Sequence, residues 1–154
     1  MVIRKATLDD LELLVKLRID YLLEENKVQS LNDLENIKIK CREYFTKWLE
    51  NNGFVAFIAE KDNEVYSTAF LSIVERPPRK ATSSYLVGTV YNVFTYPQYR
   101  NKGIATKVMT ELIEEAKLLN VASIDLLATD AGKSLYAKMG FQEITNYTSM
   151  RYTD

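Results

Sequence analysis

The stretch from Leu86 to Thr129 leaves this chain few ways to fold. "LVGTVYNVFTY" is rich in β-branched and aromatic residues, Pro97 marks its exit, and Gly103 precedes a long amphipathic repeat. In that repeat Ile104, Val108, Met109, Leu112, Ile113, Ala116 and Leu119 share one face, which predicts a helix of about 17 residues. "SIDLLAT" then supplies a second strand-like run. A strand, a helix and a strand in that order close on one sheet as a parallel pair with a right-handed crossover.

The remaining segments predict the sheet that this unit joins. "VIRKAT" reads as a short first strand, and Thr7 with Asp10 has the spacing of a capping box before a helix bearing Leu11, Leu14, Val15, Ile19 and Leu22. Leu34, Ile37, Cys41, Tyr44, Phe45 and Trp48 predict a second helix, which Asn51, Asn52 and Gly53 stop. "FVAFIAE" and "EVYSTAFLSIVE", separated by "KDN", read as an antiparallel hairpin ended by Pro77 and Pro78. "AGKSLYAKM" reads as a short helix stopped by Gly140, and "FQEIT" with "TSMRY" as a closing strand pair. The expected fold class is α/β with a mixed sheet and helices on its faces. No repeat or linker divides the 154 residues, so residues 1–154 are expected to form one domain.

Several function classes lose support from the totals. The net charge is −1 with cations and anions interleaved, which removes the electrostatic case for nucleic acid or an anionic membrane as partner. There is no histidine and only one cysteine, so no metal site is expected, and Cys41 at its helical spacing reads as a buried structural thiol rather than a nucleophile. No apolar run approaches the ~20 residues that span a bilayer. The segment "MVIRKATLDD" reaches acidic residues before any apolar region forms, so no secretory signal is expected and the protein is read as soluble and cytoplasmic.

Among the five glycines, Gly103 in "RNKGIA" falls where a loop enters the long helix. The first turn of a helix has amides without internal acceptors, and its dipole adds partial positive charge, which together suit an anion. Glycine lets a ligand approach the backbone, and Arg100 and Lys102 add cations at the edge. An ordinary glycine-containing loop is the other reading. Two rival phosphate motifs fail: "AGKS" at Ala131 to Ser134 has Leu127 where a P-loop needs its first glycine, and no three glycines cluster as a dinucleotide fingerprint requires.

"GTVYNVFTYPQYRNKGIATKVMTELIEEA", followed after another strand by "LLATDAGKSLYAKMGF", resembles the GNAT superfamily of acyl-CoA-dependent N-acetyltransferases over about Gly88 to Phe141. The resemblance implies the GNAT fold, a central and mostly antiparallel sheet with one parallel pair. It also implies acetyl-CoA as cofactor and an amine, small molecule or peptide, as acceptor. In the family pattern the backbone of Val93, Phe94 and Thr95 lines the pantetheine arm, and Arg100, Asn101, Lys102, Gly103, Ile104 and Ala105 cradle the pyrophosphate. Tyr136 matches the tyrosine near the thioester sulfur, Lys138 lies where the outer part of the cofactor binds, and Ser134 is a weaker pantetheine contact.

The implied reaction is attack of a neutral amine on a thioester within a ternary complex. A backbone N–H near Phe94 or Thr95 would meet the carbonyl oxygen, and Tyr136 is expected as general acid unless it serves only as a core aromatic. The strand glutamate of many relatives is absent here, where Tyr91 and Asn92 stand instead, so deprotonation falls to water or to a carboxylate such as Glu75. Tyr21 and Asn92 are the expected acceptor contacts, with packing as the alternative role. A non-catalytic acyl-CoA-binding module is the competing function, and an exposed strand edge offers a route to a homodimer.

Overall fold

The structure, a computed structural model, describes residues 1–81 and 84–154. Its sheet runs β1 (Val2–Lys5), β2 (Phe54–Lys61), β3 (Glu64–Glu75), β4 (Leu86–Thr95), β5 (Ser123–Asp125), each strand beside the next. The first three junctions are antiparallel, and β4 pairs with β5 in parallel. Helices α1 (Leu11–Glu24) and α2 (Leu31–Trp48) connect β1 to β2, α3 (Ile104–Leu118) connects β4 to β5, and α4 (Asp130–Lys138) follows β5. The mixed sheet with one parallel pair is the fold class expected from the sequence.

Two apolar clusters lie on opposite faces of the sheet. On one, α3 presents Val108, Met109 and Leu112 to Val55, Leu71 and Val90. On the other, Leu14, Leu17 and Phe45 of α1 and α2 pack against Ala56, Ile58 and Phe70. Strand β2 is buried from Phe54 to Ala59 because helices cover both its faces, so its sequence is continuously apolar rather than alternating. Burial of each large side chain such as Leu71 or Leu112, both 0% exposed, contributes about 1.5–3 kcal/mol.

Polar side chains start the helices. The Thr7 N–H donates to Asp10 Oδ2 at 2.8 Å, as the capping-box spacing anticipates. Ser30 Oγ accepts the Asp33 N–H at 3.1 Å at the head of α2, and Thr129 Oγ1 accepts the Gly132 N–H at 3.2 Å at the head of α4.

Two expectations need correction. Strand β5 stops at Asp125 rather than running through "SIDLLAT", and Leu127 is 86% exposed. "FQEIT" and "TSMRY" form no strand pair: residues 141–154 carry no regular structure, and Ile144, Tyr147, Met150 and Tyr152 are exposed. A three-residue β5 offers too short an edge to template two further strands, and only Phe141 of this segment packs against the α3-side core. Among the described residues no helix is long and apolar enough to cross a membrane.

Candidate active site

The site begins with a break in β4. Thr68 pairs with Phe94 and Phe70 with Tyr91, so Asn92 and Val93 together face the single residue Ala69. This is a β-bulge. Asn92 absorbs it in the left-handed region at φ 55, a conformation that asparagine tolerates better than most residues. Its side chain is buried, with Nδ2 donating to the Leu17 carbonyl at 3.3 Å and Oδ1 accepting from Arg18 at 3.3 Å. The bulge is thereby anchored to α1.

Beyond the bulge β4 has left its parallel neighbour, since the ladder with β5 covers only Val87 to Thr89. Tyr96 N–H still bonds the Tyr66 carbonyl on β3 at 3.1 Å, and the Phe94 carbonyl accepts from Ser67 Oγ at 3.0 Å. Backbone groups alternate sides along a strand, so with Phe94 and Tyr96 turned to β3, those of Val93 and Thr95 turn to the vacated side. Of the two oxyanion donors expected from sequence, the Thr95 amide is the one that faces the cleft.

The helix start lies at the end of the same strand. Asn101 and Gly103 both have positive φ, 61 and 71, and this double reversal turns the chain from the β4 exit into α3. The first intrahelical bond there is from Lys107 N–H to the Gly103 carbonyl at 3.3 Å, leaving the amides of Ile104, Ala105 and Thr106 without internal acceptors. A Cβ built on Gly103 would meet nothing within 4 Å, so the space above it is open. The loop that carries these amides is stiffened from below, where Tyr99 stacks on Tyr66 with ring centres 3.7 Å apart.

Helix α1 braces this loop from its other side. Asp20 accepts from the Tyr96 hydroxyl and pairs with Lys16, and Glu24 pairs with Arg100. Arg100 Nε also donates to the Thr95 carbonyl at 2.8 Å. The Arg100 side chain, expected at the edge of a phosphate, is therefore committed to holding the loop. Lys102 Nζ reaches the Gln98 carbonyl at 3.3 Å and lies over the Tyr99 ring.

Tyr136 projects from α4 and is half-buried, its ring edge-to-face with Phe141 at 5.9 Å. Burial raises its phenol above the usual value, and the neighbouring Tyr21 phenol raises it further. Tyr21 comes from α1, edge-to-face with Phe94 at 6.4 Å, and burial raises its phenol too. Two neutral hydroxyls, one from each face of the sheet, thus flank the region where β4 and β5 separate. Ser134 and Lys138 are exposed on α4. Glu75 does not join this group: it is exposed and pairs with Leu86 at the opposite end of β4, roughly 17 Å along the strand from Tyr91 at about 3.4 Å per residue.

Sequence reasoning missed the cavity beside these residues. It has a volume of about 470 Å³ and lies between α1, α2 and the sheet, floored by Phe54, Phe70 and Tyr91 and walled by Tyr44, Cys41 and Arg18. Cys41 is half-buried in that wall, and burial pushes its thiol up. The available signal was Arg18, which falls four residues after Leu14 and four before Leu22 and so interrupts an apolar stripe with a charge.

Comparison with known proteins fits this geometry. The family model described as acetyltransferase (GNAT) family matches residues 18–141. A predicted acetyltransferase from Clostridium acetobutylicum, crystallised with acetyl-CoA, superposes with a TM-score of 0.85 at 32% identity, covering 97% of this chain and 95% of the other. A GCN5-related N-acetyltransferase from Ralstonia eutropha gives 0.79 at 23% identity, with 97% of each chain covered. An aminoglycoside acetyltransferase from an uncultured soil sample gives 0.70 at 18% identity, covering 99% and 98%. No curated protein sequence gives a significant match.

Proposed function

Since the chain belongs to the GNAT acetyltransferase family, we propose that it is an acetyl-CoA-dependent N-acetyltransferase that acylates a primary amine by direct attack in a ternary complex. The observation that carries this reading is the continuity of three features: the β4 edge at Val93 and the Thr95 N–H, which β5 leaves unpaired, the free amides of Ile104 and Ala105, and Tyr136 across the cleft. An extended thioester arm suits the first, a diphosphate the second and a leaving sulfur the third.

Acetyl-CoA supplies an acetyl group already activated towards amines. The α3 amides and the open space over Gly103 would hold the diphosphate, and strand-like bonds to Val93 would align the arm. The Thr95 N–H stabilises charge that develops on the carbonyl oxygen. As the new C–N bond forms and the C–S bond breaks, the Tyr136 hydroxyl gives its proton to sulfur, and the proton shed by nitrogen returns to that phenolate through water. Among the described residues no carboxylate lines the cavity, so the amine is taken up as its free base.

The same lack of a carboxylate favours the second reading, an acyl-CoA-binding module without turnover. Thiol release from acetyl-CoA with a panel of primary amines separates the two. The enzyme reading expects turnover that falls steeply in Tyr136→Phe with CoA affinity retained, whereas CoA binding without turnover on any amine supports the module.

A further inference from the structure

Resting on the acetyl-CoA reading above, we propose that the acceptor is an amine bearing a carboxylate and an aromatic or apolar body, as in an amino acid, with Arg18 seating the carboxylate.

The cavity is described by what lines it. Its floor and walls are largely aromatic and aliphatic, and among the described residues its only charged lining groups are Arg18 and Lys40 and none is acidic. A volume of about 470 Å³ lies within the ~300–1,000 Å³ of small-molecule sites. An apolar body fits that floor. A polycation such as a polyamine or an aminoglycoside would meet two positive groups and no counter-charge.

Arg18 is the group that needs explaining. The other α1 cation, Lys16, pairs with Asp20, while Arg42 of α2 pairs with Glu12. Among the described residues Arg18 makes no ion pair, although it is half-buried. It donates to Asn92 Oδ1 at 3.3 Å and its guanidinium lies 5.6 Å from the Tyr21 ring centre, which holds the fork in place with donors to spare. A guanidinium kept in an aromatic-walled cavity without an internal anion is a preformed seat for an anion brought by the ligand, and its planar fork matches a carboxylate.

Its location then sets the order of groups on the acceptor. Arg18 contacts both Tyr21, which flanks the cleft with Tyr136, and Asn92 at the bulge next to the thioester-binding edge of β4. A carboxylate on Arg18 places an amine a few bonds away at the mouth of the cleft, and the apolar body points towards Phe54 and Phe70. Lys40, exposed at the rim, adds favourable charge on approach.

The test compares matched ligands on the CoA-saturated protein: N-acetyl-L-phenylalanine against N-acetylphenethylamine by calorimetry, and L-phenylalanine, phenethylamine and spermidine as acceptors in thiol release. A charge-assisted bidentate bond in a desolvated site predicts about tenfold or more in favour of each carboxylate-bearing member. Arg18→Gln erases that preference while CoA binds as before, and Arg18→Lys retains part of it. Equal affinity for the two N-acetyl ligands, no binding of either, or faster turnover of spermidine overturns the acceptor class and leaves the acetyl-CoA reading standing. Failure of the wild-type protein to bind CoA overturns that reading itself.

Discussion

Asn92 Nδ2 donates to the Leu17 carbonyl at 3.3 Å, so the residue that breaks the β4 ladder also joins that strand to helix α1. Asparagine does this because it accepts φ 55 and carries a donor and an acceptor on one short side chain. Asn92→Gly keeps the backbone conformation and loses the side-chain bonds, with an expected loss of about 1–2 kcal/mol. Asn92→Val adds left-handed strain at a β-branched residue and leaves Arg18 without this partner, and about 3 kcal/mol or more is expected. Urea denaturation of the two variants checks the order, and equal losses would show that the bulge is not conformationally demanding.

Gly103 makes two contributions that substitution can separate. Its φ of 71 favours glycine or asparagine, whereas the emptiness above it matters only to a ligand. Gly103→Asn should cost under about 1 kcal/mol of stability, because asparagine tolerates this region and nothing crowds its Cβ. It should nevertheless weaken CoA binding about tenfold or more by placing a side chain where the diphosphate would lie. Gly103→Val should weaken binding and also destabilise. Wild-type CoA affinity for the asparagine variant, measured by calorimetry, would move the diphosphate off this loop.

Tyr136 can be probed through pH. Burial, followed by the neighbouring Tyr21 phenol, raises its titration above the ordinary phenol value near 10. With Tyr136 as the proposed general acid the protonated form is the active one, so its contribution to kcat is complete below that value and is lost only as pH rises through the raised one. The alkaline limb of kcat should therefore lie above pH ~10. Tyr136→Phe should lower kcat by about 10²–10³ and remove the limb, with KM for acetyl-CoA changed little. An unchanged kcat would reduce Tyr136 to a packing residue.

Much of the geometry of this candidate site was legible because it is local in sequence. Gly103 announces itself as an isolated glycine before an amphipathic helix, and the apolar stripe from Ile104 to Ala116 marks both the helix and its buried face. The bulge was not legible, since Asn92 sits among β-formers and its left-handed turn depends on pairing with β3. The braces Glu24 to Arg100 and Asp20 to Tyr96 join residues 76 apart, and no spacing rule links them. The C-terminal segment misled for the opposite reason: the β-branched and aromatic residues of "FQEIT" and "TSMRY" suit strands, but a strand also needs an edge to pair with.

The entry to α1 should govern acid stability. Arg4 on β1 bonds Asp10 Oδ1 and Oδ2 at 2.8 Å and Glu60 Oε1 at 2.7 Å, tying the helix start to the first two strands. The Arg4 bonds, with help from the Thr7 N–H, hold the Asp10 carboxyl below its usual value. A depressed carboxyl stabilises the fold above its unfolded value near ~3.9, and that stability is lost as pH falls through the lower folded value. Thermal melts from pH 6 to 2 should show Asp10→Asn less stable than wild type at pH 6 and converging with it at the acid end. Parallel curves would indicate that the carboxylate charge is immaterial.

Cys41 gives a chemical handle on the cavity. The thiol lines its wall, and burial pushes its titration up, so little thiolate is present at neutral pH and alkylation by iodoacetamide should run slower than for an exposed thiol. Methyl methanethiosulfonate is small enough to reach it, and the added group would occupy acceptor space without touching the α3 amides. Labelled protein should bind CoA with unchanged affinity while acceptor turnover falls by about tenfold or more. A carboxylate-bearing acceptor should slow the labelling, and CoA alone should not. Should CoA alone protect Cys41, the cofactor itself would reach into the cavity, and the division of the site between a diphosphate end at Gly103 and an acceptor end at Arg18 would have to be redrawn.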